Sequence, residues 1–187
     1  ADTAGAPLET LMAAHPPTAE WPLLLLLKLG SAPGAEAATL ERLRTHPHEA
    51  SEGDHVPPLP PAEAVHDYQI RRHKLLLRHR RYPLHHAAAS AAPRAVVAEL
   101  LRLFPAAAQK QTVAGEYPLH LATKAAAELF TGGYGQLLRR ASPATAVRKA
   151  AAGCVELLLQ VWPMAAMACD ALGVPPQASA RDQMDEC

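Results

Sequence analysis

Apolar positions along this chain fall in short helical stripes broken by proline. Over 96–104, Val96, Val97, Leu100, Leu101 and Phe104 stand at i, i+1, i+4, i+5 and i+8. That spacing gives one apolar face on a helix beginning near Pro93. The same pattern returns later. Anchored at Pro105/Pro163 and Gly115/Gly173, "VVAELLRLFPAAAQKQTVAG" (96–115) aligns with "CVELLLQVWPMAAMACDALG" (154–173), 58 residues on. Val97 meets Val155, Leu100-Leu101 meets Leu158-Leu159, Phe104 meets Trp162 and Ala107 meets Ala165. Upstream, "LERLRTHP" (40–47) echoes "AELLRLFP" (98–105), and "LETLMAAHP" (8–16) is a fainter echo.

A shorter motif repeats at a smaller interval. Tyr82-Pro83-Leu84-His85 recurs as Tyr117-Pro118-Leu119-His120, 35 residues later. Proline suits the first turn of a helix, where its missing N–H would have no partner anyway. Small residues follow (Ala87, Ala88, Ala89; Ala122, Ala125, Ala126) and allow helices to approach closely. The difference between 58 and 35 places about 23 extra residues between Leu121 and Gly153. "WPLLLL" (21–26) stands where a third such motif would fall, and "VPPQAS" (174–179) follows Gly173 as "EYPLHL" follows Gly115.

Composition sharpens the fold class. Of 187 residues, 40 are Ala and 27 Leu, against one Ile, nine Val and two Phe. Strong helix formers dominate and good strand formers are scarce, so an all-α fold is expected. Eighteen prolines then require many short helices, since proline inside a helix costs roughly 3 kcal/mol.

A period in the thirties is the mark of stacked helical units. Tyr82–Ala87 and Tyr117–Ala122 resemble the T-P-L-H-x-A signature of the ankyrin-repeat family, with Tyr in place of Thr. The resemblance covers 81–173, about half the chain. It implies an ankyrin-like helical repeat solenoid with an irregular N-terminal half. In that family the motif histidine bridges turns by hydrogen bonds, so His85 and His120 are expected to be structural. The expected organisation is an N-terminal segment with a partial repeat (1–20), a degenerate repeat (21–56), and a Pro-rich loop with a basic helix (57–81). Repeats at 82–116 and 117–174 follow, the second with an insertion at about 129–149. A partial repeat and acidic tail (175–187) end the chain.

Charge adds two candidates for partner contact. A helix expected over Ala62–Arg81 carries Arg71, Lys74, Arg78 and Arg81 on one stripe. This is either a face for an anionic partner or a solvated face answering the chain's own carboxylates. No base-stacking aromatics accompany it, and the formal net charge is zero, so nucleic acid is not expected. The insertion carries Phe130, Tyr134, Leu137 and Leu138 beside Arg139 and Arg140. These form either a contact surface or a cap folded onto the third repeat. Ser142-Pro143 reads as the start of a helix running to Val161.

Other chemistry finds little footing. Gly132-Gly133-Tyr134-Gly135 has no strand before it and reads as a turn. GxSxG, GxxxxGK and GxGxxG are absent. His46/His48, His73/His79 and His85/His86 lack zinc-site spacing, so no metal, cofactor or catalytic residue is expected. Three cysteines without a CxxC pair argue against a disulfide framework. No apolar run approaches the roughly 20 residues of a membrane span.

The expectation is therefore a non-catalytic interaction scaffold or accessory subunit. Its partners would be other protein subunits, one with an acidic surface among them, and any membrane association would be peripheral, through a membrane complex. A subunit that contacts a pigment or cofactor in an organellar assembly, and an enzyme with an unrecognised site, remain as alternatives. The first residue is Ala, consistent with cytoplasmic location or with a chloroplast or mitochondrial protein after removal of a targeting peptide.

Overall fold

The computed structural model describes residues 17–30, 32–53, 80–131 and 144–178. Among these the regular structure is entirely helical. Six α-helices are present: α1 (Leu23–Lys28), α2 (Ala35–Thr45), α3 (Pro83–Ala89), α4 (Arg94–Leu103), α5 (Pro118–Thr131) and α6 (Ala144–Val161). Three 3-10 turns lie at Pro47–Ser51, Pro105–Gln109 and Pro163–Met167.

The helices pair in chain order, α1 with α2, α3 with α4 and α5 with α6. Neighbouring pairs then pack in two rows. In one, α1 lies on α3 and α3 on α5; in the other, α2 lies on α4 and α4 on α6. A single apolar cluster runs through both rows, from Leu23, Leu27 and Leu43 through Leu84, Val96, Val97 and Leu100 to Leu119, Cys154 and Leu158. The expected stripe on α4 is therefore the buried face, with Phe104 just past the helix end and packed against the cluster.

The outer helices end by one device used three times. His46, Phe104 and Trp162 each precede a proline, which pushes the preceding residue out of helical geometry. Their φ/ψ values are −132/64, −142/73 and −142/83. Each donates its N–H four residues back, to Arg42 (2.8 Å), Leu100 (2.8 Å) and Leu158 (2.9 Å). A 3-10 turn follows each time. The spacing is 58 residues in both intervals.

Within the second interval the extra length extends existing helices. α5 has 14 residues against 7 in α3, and α6 has 18 against 10 in α4. α6 is described from Ala144 and ends at Val161 as expected, while the Ser142-Pro143 signal lies outside the described residues. The extension is not simply a projection, however. Val147 and Ala151 are buried against Ala91, with Ala126 alongside. The part of the expected insertion around Val147 thus belongs to the core, because the lengthened α6 reaches past the end of α3.

The turn after α3 explains why Ala91 can sit there. Its φ of 50° lies in the left-handed region, which costs a residue with a Cβ on the order of 1–2 kcal/mol. Ala92 N–H bonds back to Ala87 O at 2.9 Å and closes the helix end. The Ala91 methyl in turn is buried against Val147 and Ala151, a gain that a glycine would forgo.

The basic helix expected over Ala62–Arg81 lies outside the described residues except at its end. Arg80 and Arg81 are not helical. Tyr82 is extended (φ −97°, ψ 163°), as the residue before Pro83 must be, so Arg81 does not share a helical stripe with the basic residues before it.

Candidate interaction surface

The two Tyr-Pro-Leu-His motifs form matched local sites. Pro83 and Pro118 open α3 and α5. His85 and His120 are both fully buried. Each Nδ1 accepts the motif's own tyrosine N–H, at 3.1 Å from Tyr82 and 3.3 Å from Tyr117. An Nδ1 that accepts carries no proton, so the ring is the neutral Nε2–H tautomer. His85 Nε2 then donates to Lys110 O at 3.0 Å, and His120 Nε2 to Val174 O at 3.2 Å. Each ring thus ties its helix start to a later segment of chain. Burial lowers the His120 pKa from its ordinary value, which favours this neutral form.

Tyrosine at the motif's first position has a packing role. The Tyr82 ring lies 6.0 Å from His85 and 5.6 Å from Phe104. The Tyr117 ring lies 5.8 Å from His120 and 4.9 Å from Trp162. Each tyrosine therefore bridges its own histidine and the aromatic residue at the end of the paired outer helix. The Arg80 guanidinium sits 5.1 Å over the other side of this arrangement, on the Tyr82 ring.

Beyond α4 and α6 the chain makes the same tight turn. Thr112 N–H bonds to Glu116 O at 2.9 Å, and Gly115 N–H to Thr112 O at 2.9 Å. In the next unit Asp170 N–H bonds to Val174 O at 3.0 Å, and Gly173 N–H to Asp170 O at 3.1 Å. Asp170 reinforces its turn by accepting from Leu172 N (2.8 Å) and Val174 N (3.0 Å). The Val174 N–H is the main reason its carboxyl titrates lower than usual. The turns also touch: Ala171 N–H reaches Ala114 O at 3.4 Å. Gly115 has φ +77°, and a Cβ there would lie 2.4 Å from Ala171 N. Glycine is required both by the backbone angle and by the close approach.

These turns and the adjoining 3-10 segment present apolar side chains to solvent. Val113 is 52% exposed, Leu172 86%, Met164 62% and Met167 75%. Val161 and Cys169 are also exposed. The backbone template does not demand this. At the positions of Met164 and Met167 the earlier units carry Ala106 and Gln109, and His48 and Ser51. Sequence reasoning missed this surface, although the 58-residue alignment placed methionine opposite alanine and glutamine and so carried the signal.

The residues expected to meet partners fall mostly elsewhere. Arg71, Lys74, Arg78, Tyr134, Leu137, Leu138, Arg139 and Arg140 lie outside the described residues. Phe130 belongs to the last turn of α5, and its side chain is likewise outside them. Arg81 is exposed.

One open hollow of about 330 Å³ lies by α1 and α2, lined by residues including Pro22, Leu23, Arg42, Glu49 and Glu52. Arg42 and Glu49 in its wall are engaged with one another. Arg42 Nε donates to Glu49 Oε2 at 3.0 Å, and Arg42 Nη1 to Ala19 O at 3.2 Å. The hydrogen bond from Arg42 pulls the Glu49 carboxyl below its usual range. Arg42 thereby joins the segment before α1, helix α2 and the following 3-10 turn. Among the described residues, no group of three or more His, Cys, Asp or Glu is placed to hold a metal ion, and no helix is long and apolar enough to cross a membrane.

Comparison with models of known protein families, with curated proteins and with solved structures gives no match.

Proposed function

We propose that this chain is a non-catalytic interaction module, an ankyrin-like stack of helix pairs that holds a protein partner within a larger assembly. The observation that carries the reading is the apolar surface on the stacked turns. Val113 and Leu172 stand on two turns joined by a backbone hydrogen bond, and both are exposed. Apolar side chains gathered on one exposed surface commonly mark contact sites, because covering them removes apolar area from water. The buried histidines support the same reading. Their ring nitrogens are occupied by backbone groups, which suits a structural role rather than proton transfer.

The test is a comparison of the native chain with Val113→Glu/Leu172→Glu, both immobilised and exposed to native extract. Far-ultraviolet circular dichroism should give the same helicity for both, since neither side chain is buried. A protein retained by the native chain and lost from the double variant is the expected result. Identical retention by both, or turnover of a small molecule that disappears on changing His85 or His120 at unchanged stability, would overturn the proposal.

A further inference from the structure

We propose that Met164, Met167 and Cys169 form a three-sulfur site for a soft monovalent metal ion, with copper(I) as the ligand and silver(I) as its redox-inert analogue. The three residues lie within six positions of "PMAAMAC". Met164 and Met167 occupy the second and fifth places of the 3-10 turn Pro163–Met167. Side chains three apart eclipse one another in a 3-10 helix, so both thioethers project from one side of the turn. Both are largely exposed. Cys169 follows on an extended stretch, is exposed, and has its Sγ 3.9 Å from Met167 O. That contact places the thiol beside the Met167 backbone.

The fold does not account for sulfur at these places. The equivalent positions are Ala106, Gln109 and Gln111 in the preceding unit and His48, Ser51 and Gly53 in the first. The same backbone geometry at the helix end is built each time, yet only the last unit carries three soft donors, all on the surface. Thioether and thiolate ligands select copper(I) over harder divalent ions. The methionine arms have three rotatable bonds and can converge on one ion. The adjoining carboxylate, Asp170, accepts two backbone N–H groups on Oδ1 at 2.8 and 3.0 Å and is a hard oxygen donor, which a soft monovalent ion passes over for sulfur. On binding, Cys169 would release its thiol proton to the buffer and contribute a thiolate, giving a site of no net charge. No electron transfer is involved.

This inference does not rest on the interaction reading. Leucine in place of methionine keeps the apolar surface and removes only the sulfur.

The experiment uses the full chain in a Cys187→Ser background, reduced and free of oxygen. Copper(I) is titrated against a competing chromophoric chelator, and methionine methyl resonances are followed with silver(I). The expected result is one equivalent of copper(I) withheld from the chelator, with the methyl signals of Met164 and Met167 shifting together. Met164→Leu/Met167→Leu and Cys169→Ser should each weaken binding at least tenfold at unchanged melting temperature. Four outcomes would overturn the site: no equivalent retained, equal affinity in the Met→Leu variant, shifts at Met12 or Met184 instead, or zinc(II) held as tightly as copper(I).

Discussion

Removing the His120 ring should cost the protein about 3 kcal/mol at neutral pH. The ring satisfies Tyr117 N–H at 3.3 Å and Val174 O at 3.2 Å. His120→Ala leaves Tyr117 N–H without a partner and takes one of two donors from Val174 O, which keeps the Asp170 N–H at 3.0 Å. A buried polar group so orphaned costs roughly 1–3 kcal/mol. Tyr117 is only half-buried, so water recovers part of the loss and the lower half of that range applies; the bond lost from Val174 O adds about 1 kcal/mol. The emptied ring volume adds to the total. For a chain of this length, about 3 kcal/mol lowers Tm by roughly 6–12 °C.

The deficit should also depend on pH. Burial depresses the folded-state pKa of His120 below its ordinary value of 6.5. The neutral ring therefore contributes in full above the unfolded value, and its contribution is lost as pH falls from there toward the folded value. Between those two values the loss approaches about 1.4 kcal/mol per pH unit. Urea denaturation of the native chain and of His120→Ala at pH 7.5, 6.5 and 5.5 measures this directly. The gap between the two proteins should be widest at pH 7.5 and narrow toward pH 5.5. A gap under 1 kcal/mol at pH 7.5, or one that widens on acidification, would refute the tautomer and the hydrogen bonds inferred for this ring.

Further predictions use the same reasoning. Gly115→Ala and Gly173→Ala place a Cβ on nearly the same backbone angle, φ +77° and +79°, but only Gly115 meets a neighbour. Gly173→Ala should cost about 1 kcal/mol of strain, and Gly115→Ala clearly more, read as a larger drop in Tm. Burial pushes the Cys154 thiol pKa up to about 12, so a thiol reagent at pH 8 should label Cys169 at once and Cys154 only on unfolding. Val147→Ala should lower Tm by several degrees, because that side chain is buried against Ala91.

Local signals in the sequence located the helices well. Pro83 and Pro118 mark helix starts because their chemistry is settled within one turn, and the stripe on α4 is visible because one face is buried along its whole length. Partnership across the chain was less legible. That His85 reaches Lys110 O while His120 reaches Val174 O depends on how units are offset in space. Whether the expected insertion around Val147 was a contact surface or a cap stayed open in the sequence because its partner, Ala91, lies 56 residues away. The exposure of Met164, Met167 and Leu172 was hidden for a related reason. An apolar residue in a repeat reads as core until the neighbouring layer is known, and among the described residues nothing covers these three.

The link from His120 to Val174 has a bearing on how the molecule opens. Helix pairs gain stability chiefly from the pair beside them, so the layers need not come apart together. Val174 and Pro176, which accept from His120 and Thr123, belong to the last stretch of described chain. Detachment of that stretch alone would uncover the imidazole N–H and the Thr123 hydroxyl while α1 to α4 stay protected. Amide hydrogen exchange should then be graded along the chain, with Val174 and Gly173 exchanging through local fraying and Val97 and Leu100 only through global unfolding. A molecule built this way can loosen its last described stretch without giving up the rest of its fold.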